Sequence, residues 1–155
     1  MRNNNKLVSV ILVNYNCKKY MEKLLESLRL QSYSPTEVLI FDNGSTDGSL
    51  EYICTDYPEA QVFKMGENTG FSRPNNLGIQ KSKGDYILTL NFDLVLEKDF
   101  IEQMVMAIES DSTIGWVAGK MMKLTSNGKS DRIDSLGHHM TRERCARSID
   151  TFLRD

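Results

Sequence analysis

The chain is predicted to fold as an α/β domain, a mostly parallel sheet with helices on both faces. Three observations predict it. Short β-branched apolar runs alternate with amphipathic helical stretches in the order β-α-β-α-β-α-β-α-β. The runs are nearly all apolar, as strands buried on both faces of a parallel sheet require. Polar clusters follow the strands, and open α/β sheets place their ligands at the carboxyl ends of strands.

The elements justify this in order. Leu7 to Val13 is apolar and β-branched, broken only by Ser9, and ends at Asn14-Tyr15-Asn16. Asn16 is expected to cap the helix that follows. There Met21, Leu24, Leu25 and Leu28 fall at i, i+3, i+4 and i+7, one stripe facing the sheet. Pro35 lies in the next loop. Glu37 to Phe41 is a second strand, running into Asp42-Asn43-Gly44-Ser45-Thr46-Asp47-Gly48-Ser49, a turn-forming cluster. The next helix carries Leu50, Ile53, Cys54 and Tyr57 on one face. A short strand, Ala60 to Met65, leads to Gly66-Glu67-Asn68-Thr69-Gly70-Phe71. Ser72 reads as an N-cap, Pro74 suits the first helical turn, and Gly84 marks the end of that helix near Ser82.

Asp85 to Leu90 is the fourth strand, apolar and expected to be buried, with Asn91-Phe92-Asp93 at its end. Phe100, Ile101, Met104, Val105 and Ile108 form another amphipathic helix. Ile114 to Gly119 and Lys120 to Leu124 give one or two more strands, and Asn127-Gly128 signals a hairpin turn. Residues 131–155 are more polar and read as a loosely packed tail, with Arg132, Arg142, Arg144, Arg147 and Arg154.

The 155 residues fit a single domain with a substantial core. Their 19 basic and 21 acidic residues, net charge −2, argue against nucleic acid as the partner. No apolar run is long enough to span a bilayer. The stretch before Asn14 lacks the apolar core of a signal peptide of adequate length. Cys17, Cys54 and Cys145 match no zinc spacing and read as reduced packing thiols, so a cytoplasmic location is expected. His138 and His139 sit in the polar tail and read as solvent-facing.

Residue types suggest a chemistry for the strand ends. A uracil or thymine offers an imide N–H between two carbonyls. A carboxylate such as Asp42 accepts that N–H, and backbone amides near Asn14 serve the carbonyls. Tyr15 can stack on the base. A diphosphate is rich in hard oxygens, and Mg²⁺ or Mn²⁺ binds it with few protein carboxylates. Asp93 supplies one. Each cluster also has a structural reading: Asn16 and Asp47 as caps, Gly44 and Gly48 as positive-φ turn residues, Asn75 and Asn76 as helix-surface residues, and Arg73 as a surface charge.

The chain resembles the family 2 glycosyltransferases of the GT-A fold, in particular their rhamnosyltransferase-like group. The likeness is carried by Val8 to Asn16, Asp42 to Ser49, Asn68-Thr69-Gly70-Phe71, Asn75-Asn76-Leu77-Gly78, Leu90 to Asp93, and Ile133-Asp134-Ser135-Leu136-Gly137. The blocks run in the family's order and cover nearly the whole chain. The resemblance implies transfer of a sugar, rhamnose or a similar hexose, from a UDP- or dTDP-linked donor to an acceptor hydroxyl with inversion. A glycan or lipid-linked acceptor, a role in cell-surface polysaccharide synthesis and peripheral association with the inner membrane face go with it. Asn14, Tyr15, Asn16, Asp42, Asn43, Asn68, Gly70, Asn75 and Asn76 are expected on the nucleotide. Arg73, Asn91 and Phe92 are expected on the sugar and diphosphate side, and Asp93 on the metal.

The sequence departs from the family at several points. Asn91 replaces the first acid of the Asp-x-Asp motif, as is usual in the rhamnosyltransferase-like group. Phe92 stands where that group has proline, and Arg73-Pro74 replaces small residues. Inverting transfer needs a general base for the acceptor's proton. Asp131, Asp134 and Asp150 have the right type, but none matches the family's base in position. That base and the acceptor half are expected beyond Asp155, so the chain reads as a donor-binding portion. The alternative is a non-catalytic nucleotide-sugar-binding module or inactive fragment. A dinucleotide oxidoreductase fits poorly, because no G-x-G-x-x-G follows the first strand. A receiver-type signalling domain fits poorly too, because Asn14 and Asn16 are not acidic.

Overall fold

The computed structural model describes residues 5–125, 128–135, 138–140 and 146–148. Two compact units emerge, Met1–Asp99 and Phe100–Asp155.

The first unit is built on a four-stranded, all-parallel sheet. In chain order its elements are β1 (Val8–Asn14), α1 (Lys18–Arg29), β2 (Thr36–Asp42), α2 (Ser49–Asp56), β3 (Gln61–Lys64), α3 (Ser72–Lys81) and β4 (Tyr86–Leu90). The spatial order is β3-β2-β1-β4. Val8 to Asn14 pairs with Thr36 to Asp42 in unbroken register, so Asn14 lies beside Asp42 and both strands end together. The chain steps outward from β1 to β2 to β3, then crosses back to place β4 on the far side of β1. Right-handed crossovers therefore put α1 and α2 on one face and α3 on the other.

Side-chain alternation shows what each face receives. Ile11, Leu39 and Phe41 form a buried cluster with Phe63, Met65 and Leu77 of α3. Phe41 and Phe63 stack at 4.7 Å. Gly78 is where α3 meets the sheet most closely: a Cβ there would stand 2.6 Å from Ile11 Cγ2. The alternate residues Val10, Leu12, Val38 and Ile40 are buried on the opposite face. The α1 stripe Met21, Leu24, Leu25 and Leu28 is buried as its spacing predicts, each side chain contributing about 1.5–3 kcal/mol.

Several expectations are corrected. β4 is not buried on both faces: it ends the strand order, and Ile87 is 43% exposed. Cys54 is exposed; the buried face of α2 and its cap is Ser49, Ile53 and Tyr57. Asn16 does not cap α1. Cys17 holds the N-cap position without a side-chain bond, and Phe71, not Ser72, precedes α3. Gly84 lies two residues beyond the cap of α3 and permits close approach, since a Cβ there would meet Ser9 at 2.6–2.7 Å. Its N–H donates to Ser9 Oγ, which in turn donates to Glu37.

The second unit contains α4 (Phe100–Glu109) and an antiparallel hairpin of β5 (Met121–Thr125) and β6 (Gly128–Ser135), followed by a pair β7 (His138–Met140) and β8 (Ala146–Ser148). Ile101 and Val105 form the buried face of α4. Ile114 to Gly119 is irregular rather than a strand. β5 pairs with β6 instead of extending the parallel sheet, and β6 buries Ile133 within the stretch read as a tail. Asn127, Leu136, Gly137, Arg142, Arg144, Cys145, Asp150 and Arg154 lie outside the described residues. No helix among the described residues is long and apolar enough to cross a membrane.

Candidate functional site

Because all four strands run the same way, their carboxyl ends form one rim. The segments following β1, β2, β3 and β4 all leave from it: residues 15–17, 43–48, 65–71 and 91–99. The direction of winding reverses between β1 and β4, and ligands of open α/β sheets occupy the crevice at such a reversal. Asn14-Tyr15-Asn16 and Asn91-Phe92-Asp93 flank that point. All of the residues assigned to the nucleotide, sugar or metal from the sequence belong to this rim or to the first two turns of α3 beside it.

The rim has an inward layer of saturated polar groups. Asn14 is fully buried. Its Nδ2 lies within hydrogen-bond reach of Asp42 Oδ1 (2.7 Å), Ser45 Oγ (2.9 Å) and Ser49 Oγ (2.8 Å). Asp42, also buried, uses Oδ2 to accept the Ser45 backbone N–H. Its carboxylate has further lone pairs, so capacity for one more donor remains. Ser45 Oγ also accepts the Asn16 N–H, and Asn16 Oδ1 accepts the Thr46 N–H at 2.8 Å. Asn16 adopts φ +55°, a left-handed conformation that asparagine tolerates better than most residues. These bonds lock the first two strand-end loops to each other.

Asp47 performs a second linking task. Its Oδ2 accepts the N–H of Lys18, the first residue of α1, and its Oδ1 accepts the N–H of Ser49, the first residue of α2. One carboxylate thus caps two helices, where anionic groups are favoured by the helix dipoles. Burial raises its pKa, but bonds from the Ser49 hydroxyl and the Lys18 and Ser49 amides outweigh this and hold it below the usual carboxylate value.

The third loop is tied on through Asn43, which turns away from Asp42 and is 2% exposed. Asn43 Nδ2 donates to Asn68 Oδ1 (3.0 Å) and to the Gly70 carbonyl (2.9 Å); Asn43 Oδ1 accepts from the N–H and hydroxyl of Thr69, each at 3.0 Å. Its side chain is fully spent on protein partners. Asn75, mostly buried, donates to the Phe71 carbonyl one turn back. Phe92 is buried as well, 3% exposed. The side chain of Asn43 and the ring of Phe92 thus face the protein, whereas Asn75 commits its amide N–H₂ to Phe71 and not its amide oxygen.

The outward layer consists of Tyr15, Asn16, Asn68, Gly70, Arg73, Asn76, Asn91 and Asp93, all exposed. Tyr15 is 47% exposed and Phe71 61%. A hydrogen-bond-rich floor thus carries aromatic rings, amides, one arginine and one carboxylate at its surface. Sequence reasoning missed Ser45, Ser49 and Thr69, whose hydroxyls complete the floor. The polar turn-forming run from Asp42 to Ser49 was the available signal. A separate groove between α1 and α2, lined by Glu22, Glu26, Arg29, Tyr52 and Tyr57, includes no residue of these loops.

Comparison with known proteins agrees with this architecture. The chain is 30% identical over 114 residues to the glycosyltransferase GlyA of Streptococcus pneumoniae, covering 70% of this chain and 16% of GlyA. The structure of residues 1–349 of S. aureus TarS in complex with UDP superposes with a TM-score of 0.61 at 25% identity, over 75% of this chain and 39% of that one. The mannosyltransferase PcManGT of Pyrobaculum calidifontis, in complex with GDP-Man and Mn²⁺, superposes with a TM-score of 0.68 at 22% identity, over 77% of this chain and 37% of that one. The chain spans well under half the length of these relatives. The parallel sheet with helices on both faces is the Rossmann-like arrangement of the GT-A fold. Residues 9–154 match the model of glycosyl transferase family 2, and on that match, the sheet and its rim, the chain belongs to this family.

Proposed function

We propose that the strand-end rim binds a nucleotide-diphosphate sugar, and that the chain is the donor-binding part of a glycosyltransferase delivering the sugar to an acceptor hydroxyl. The observation that carries this reading is the convergence of four polar segments on one rim, across the reversal of strand order. The UDP and GDP-Man held by the two structural neighbours support a nucleoside diphosphate as the ligand class.

The outward residues divide the ligand between them. Tyr15 offers a ring to the base. The spare acceptor capacity of Asp42 suits the imide N–H of uracil or thymine, which favours a UDP- or dTDP-linked donor. Arg73 suits a phosphate. The resemblance of Asn91-x-Asp93 to the rhamnosyltransferase-like group is the ground for proposing rhamnose or a similar hexose as the sugar, with a glycan or lipid-linked acceptor and cell-surface polysaccharide as the product. Transfer with inversion is a single displacement at the anomeric carbon. Cys17 and Cys54 are free thiols, which suits the reducing cytoplasm, and a polysaccharide role would put the chain at the inner face of the membrane.

The donor set fits a divalent cation of one kind only. No group of three or more His, Cys, Asp or Glu that could hold a metal occurs among the described residues. Asp93 stands exposed just past β4, a lone carboxylate. That suits Mg²⁺ or Mn²⁺, which take most of their oxygens from phosphates and water, and not a four-ligand structural zinc. When bound, such an ion stabilises charge on the leaving diphosphate.

Titration with UDP, dTDP and GDP, with and without Mn²⁺, tests the reading. Asp93→Ala is expected to abolish the Mn²⁺-dependent part of binding. Unchanged Mn²⁺-dependent affinity removes Asp93 from the metal. Asp42→Ala is expected to weaken the free nucleoside independently of metal; a loss confined to diphosphates reassigns Asp42. Donor hydrolysis or transfer separates an enzyme from a binding module.

A further inference from the structure

The groove between α1 and α2 carries negative charge that the fold does not neutralise. Arg29 on its wall is already paired: its guanidinium donates to both oxygens of Glu59, at 2.6 and 3.0 Å, and to the Asp56 carbonyl. Glu22 and Glu26 of α1 and Asp56 of α2 line the same groove, and their carboxylates have no hydrogen bond or ion pair among the described residues. The arrangement opposes stability at two points. Glu22 and Glu26 stand four residues apart on one helix face and repel. Asp56 is the last residue of α2, where the helix dipole favours a cation.

Tyr57 supplies an independent observation. The residue is 3% exposed, and the Arg29 guanidinium stands over its ring at 4.5 Å. Its hydroxyl makes no hydrogen bond among the described residues, yet none of their buried side-chain polar atoms is left unbonded. The hydroxyl is therefore the point at which this buried side chain reaches the surface, and that surface is the groove it lines. An open hydroxyl on an otherwise buried ring, in a groove with three unpaired carboxylates, suits a ligand rich in hydrogen-bond donors. Tyr52 is half-buried in the same wall. Burial first, then Glu22 and Asp56, hold its phenol above the ordinary pKa, so charges from both helices reach one spot.

The chemistry favours an organic cation over a metal. No group of three or more His, Cys, Asp or Glu among the described residues could hold a metal ion, so the charges are spread along the groove. Its volume of about 270 Å³ lies below the roughly 300–1,000 Å³ of pockets that take a whole drug-sized ligand. An ammonium or guanidinium on an alkyl arm fits that space. Its N–H donors can reach separated carboxylates and the Tyr57 oxygen, and tyrosine rings attract a cation to their faces.

We propose that the α1–α2 groove is a binding site for an organic cation, an alkylammonium or guanidinium group, held by Glu22, Glu26, Asp56 and the Tyr57 hydroxyl. No residue lining it belongs to the strand-end loops, so the inference stands apart from the nucleotide-sugar reading.

The test titrates the full chain with spermidine and with N-acetylarginine amide at low salt, where charge screening is weak, and follows backbone amide chemical shifts. At least one probe is expected to give saturable shifts centred on α1 and α2 with Kd below about 1 mM. The tighter probe separates a free polyamine from the arginine of a partner protein. Glu26→Gln is expected to weaken that probe about threefold or more, as loss of a charged acceptor implies. Glu51→Gln removes a charge from α2 outside the groove and is expected to change Kd by less than about twofold. Tyr57→Phe keeps the ring and removes a hydroxyl that bonds to nothing in the protein. It is expected to leave the urea midpoint unchanged and to weaken the probe about twofold or more. No saturable binding of either probe, shifts centred elsewhere, equal losses in Glu26→Gln and Glu51→Gln, or wild-type affinity in Tyr57→Phe overturns the site.

Discussion

Replacing Asp47 with alanine probes how the rim is held together. Its two oxygens accept the N–H groups that open α1 and α2, at 2.9 and 3.0 Å. Loss of one capping side chain costs about 0.5–2 kcal/mol. Two caps on one exposed carboxylate give about 1–3 kcal/mol for Asp47→Ala, the shared geometry and solvent screening keeping the sum below twice the maximum. The folded-state pKa of Asp47 is depressed. Its stabilisation is thus fully present above the unfolded value, near 3.8, and is lost as pH falls through the folded value. Urea unfolding followed by helical circular dichroism at pH 7 is expected to show the full difference from wild type. The difference should shrink as pH drops below 3.8. Asp47→Asn, which keeps one acceptor oxygen, should fall between. A variant within about 0.5 kcal/mol of wild type at pH 7, or a difference that does not change on acidification, would refute the double cap.

Two further outcomes follow from packing and burial. Gly78→Ala gains about 1 kcal/mol of helix propensity but drives a methyl to 2.6 Å from Ile11 Cγ2, an overpacking cost of about 1–3 kcal/mol. Urea unfolding should show net destabilisation, relieved in an Ile11→Ala background that lacks Cγ2; a simple gain in stability would show that the helix shifts freely. The Tyr57 phenol is pushed up to about 12, first by burial and then by Glu59, with Arg29 opposing from 4.5 Å over the ring. Its contribution to stability is present below the unfolded value of 10.0 and is lost as pH rises toward about 12. The alkaline absorbance titration of Tyr57→Phe, subtracted from wild type, should reveal a phenol ionising well above 10.0; an ordinary titration curve would contradict its burial.

The parallel sheet was legible because β1 and β2 carry largely apolar runs rich in β-branched residues and α1 a clean four-residue stripe. Periodicity reports burial directly where an element is packed on its whole length. β4 misled for the same reason: its composition is that of a buried strand, yet it ends the strand order and Ile87 is 43% exposed. Ile114 to Gly119 reads as a strand by composition, but its glycines and exposed Trp116 leave it without a ladder. At the rim, sequence placed the polar residues on the right loops, because strand order and direction fix which ends converge. It could not tell inward from outward amides. Asn14, Asn43 and Asn68 are one residue type, and only the backbone decides that Asn43 is spent on Thr69 and Gly70 while Asn68 keeps free donors. Ser45 and Ser49 were missed because a serine in a turn looks the same whether it serves the turn or a neighbouring strand.

The reversal of strand order has a practical meaning for anyone altering this protein. It puts the exchangeable surface of Tyr15 and Phe71 on loops, and of Arg73 and Asn76 on the start of α3, whose footings, Asn14, Asp42 and Asn43, are bonded to one another beneath them. Libraries that diversify the first group can search for new ligands without renegotiating the foundation, whereas changes to the second group move several loops at once.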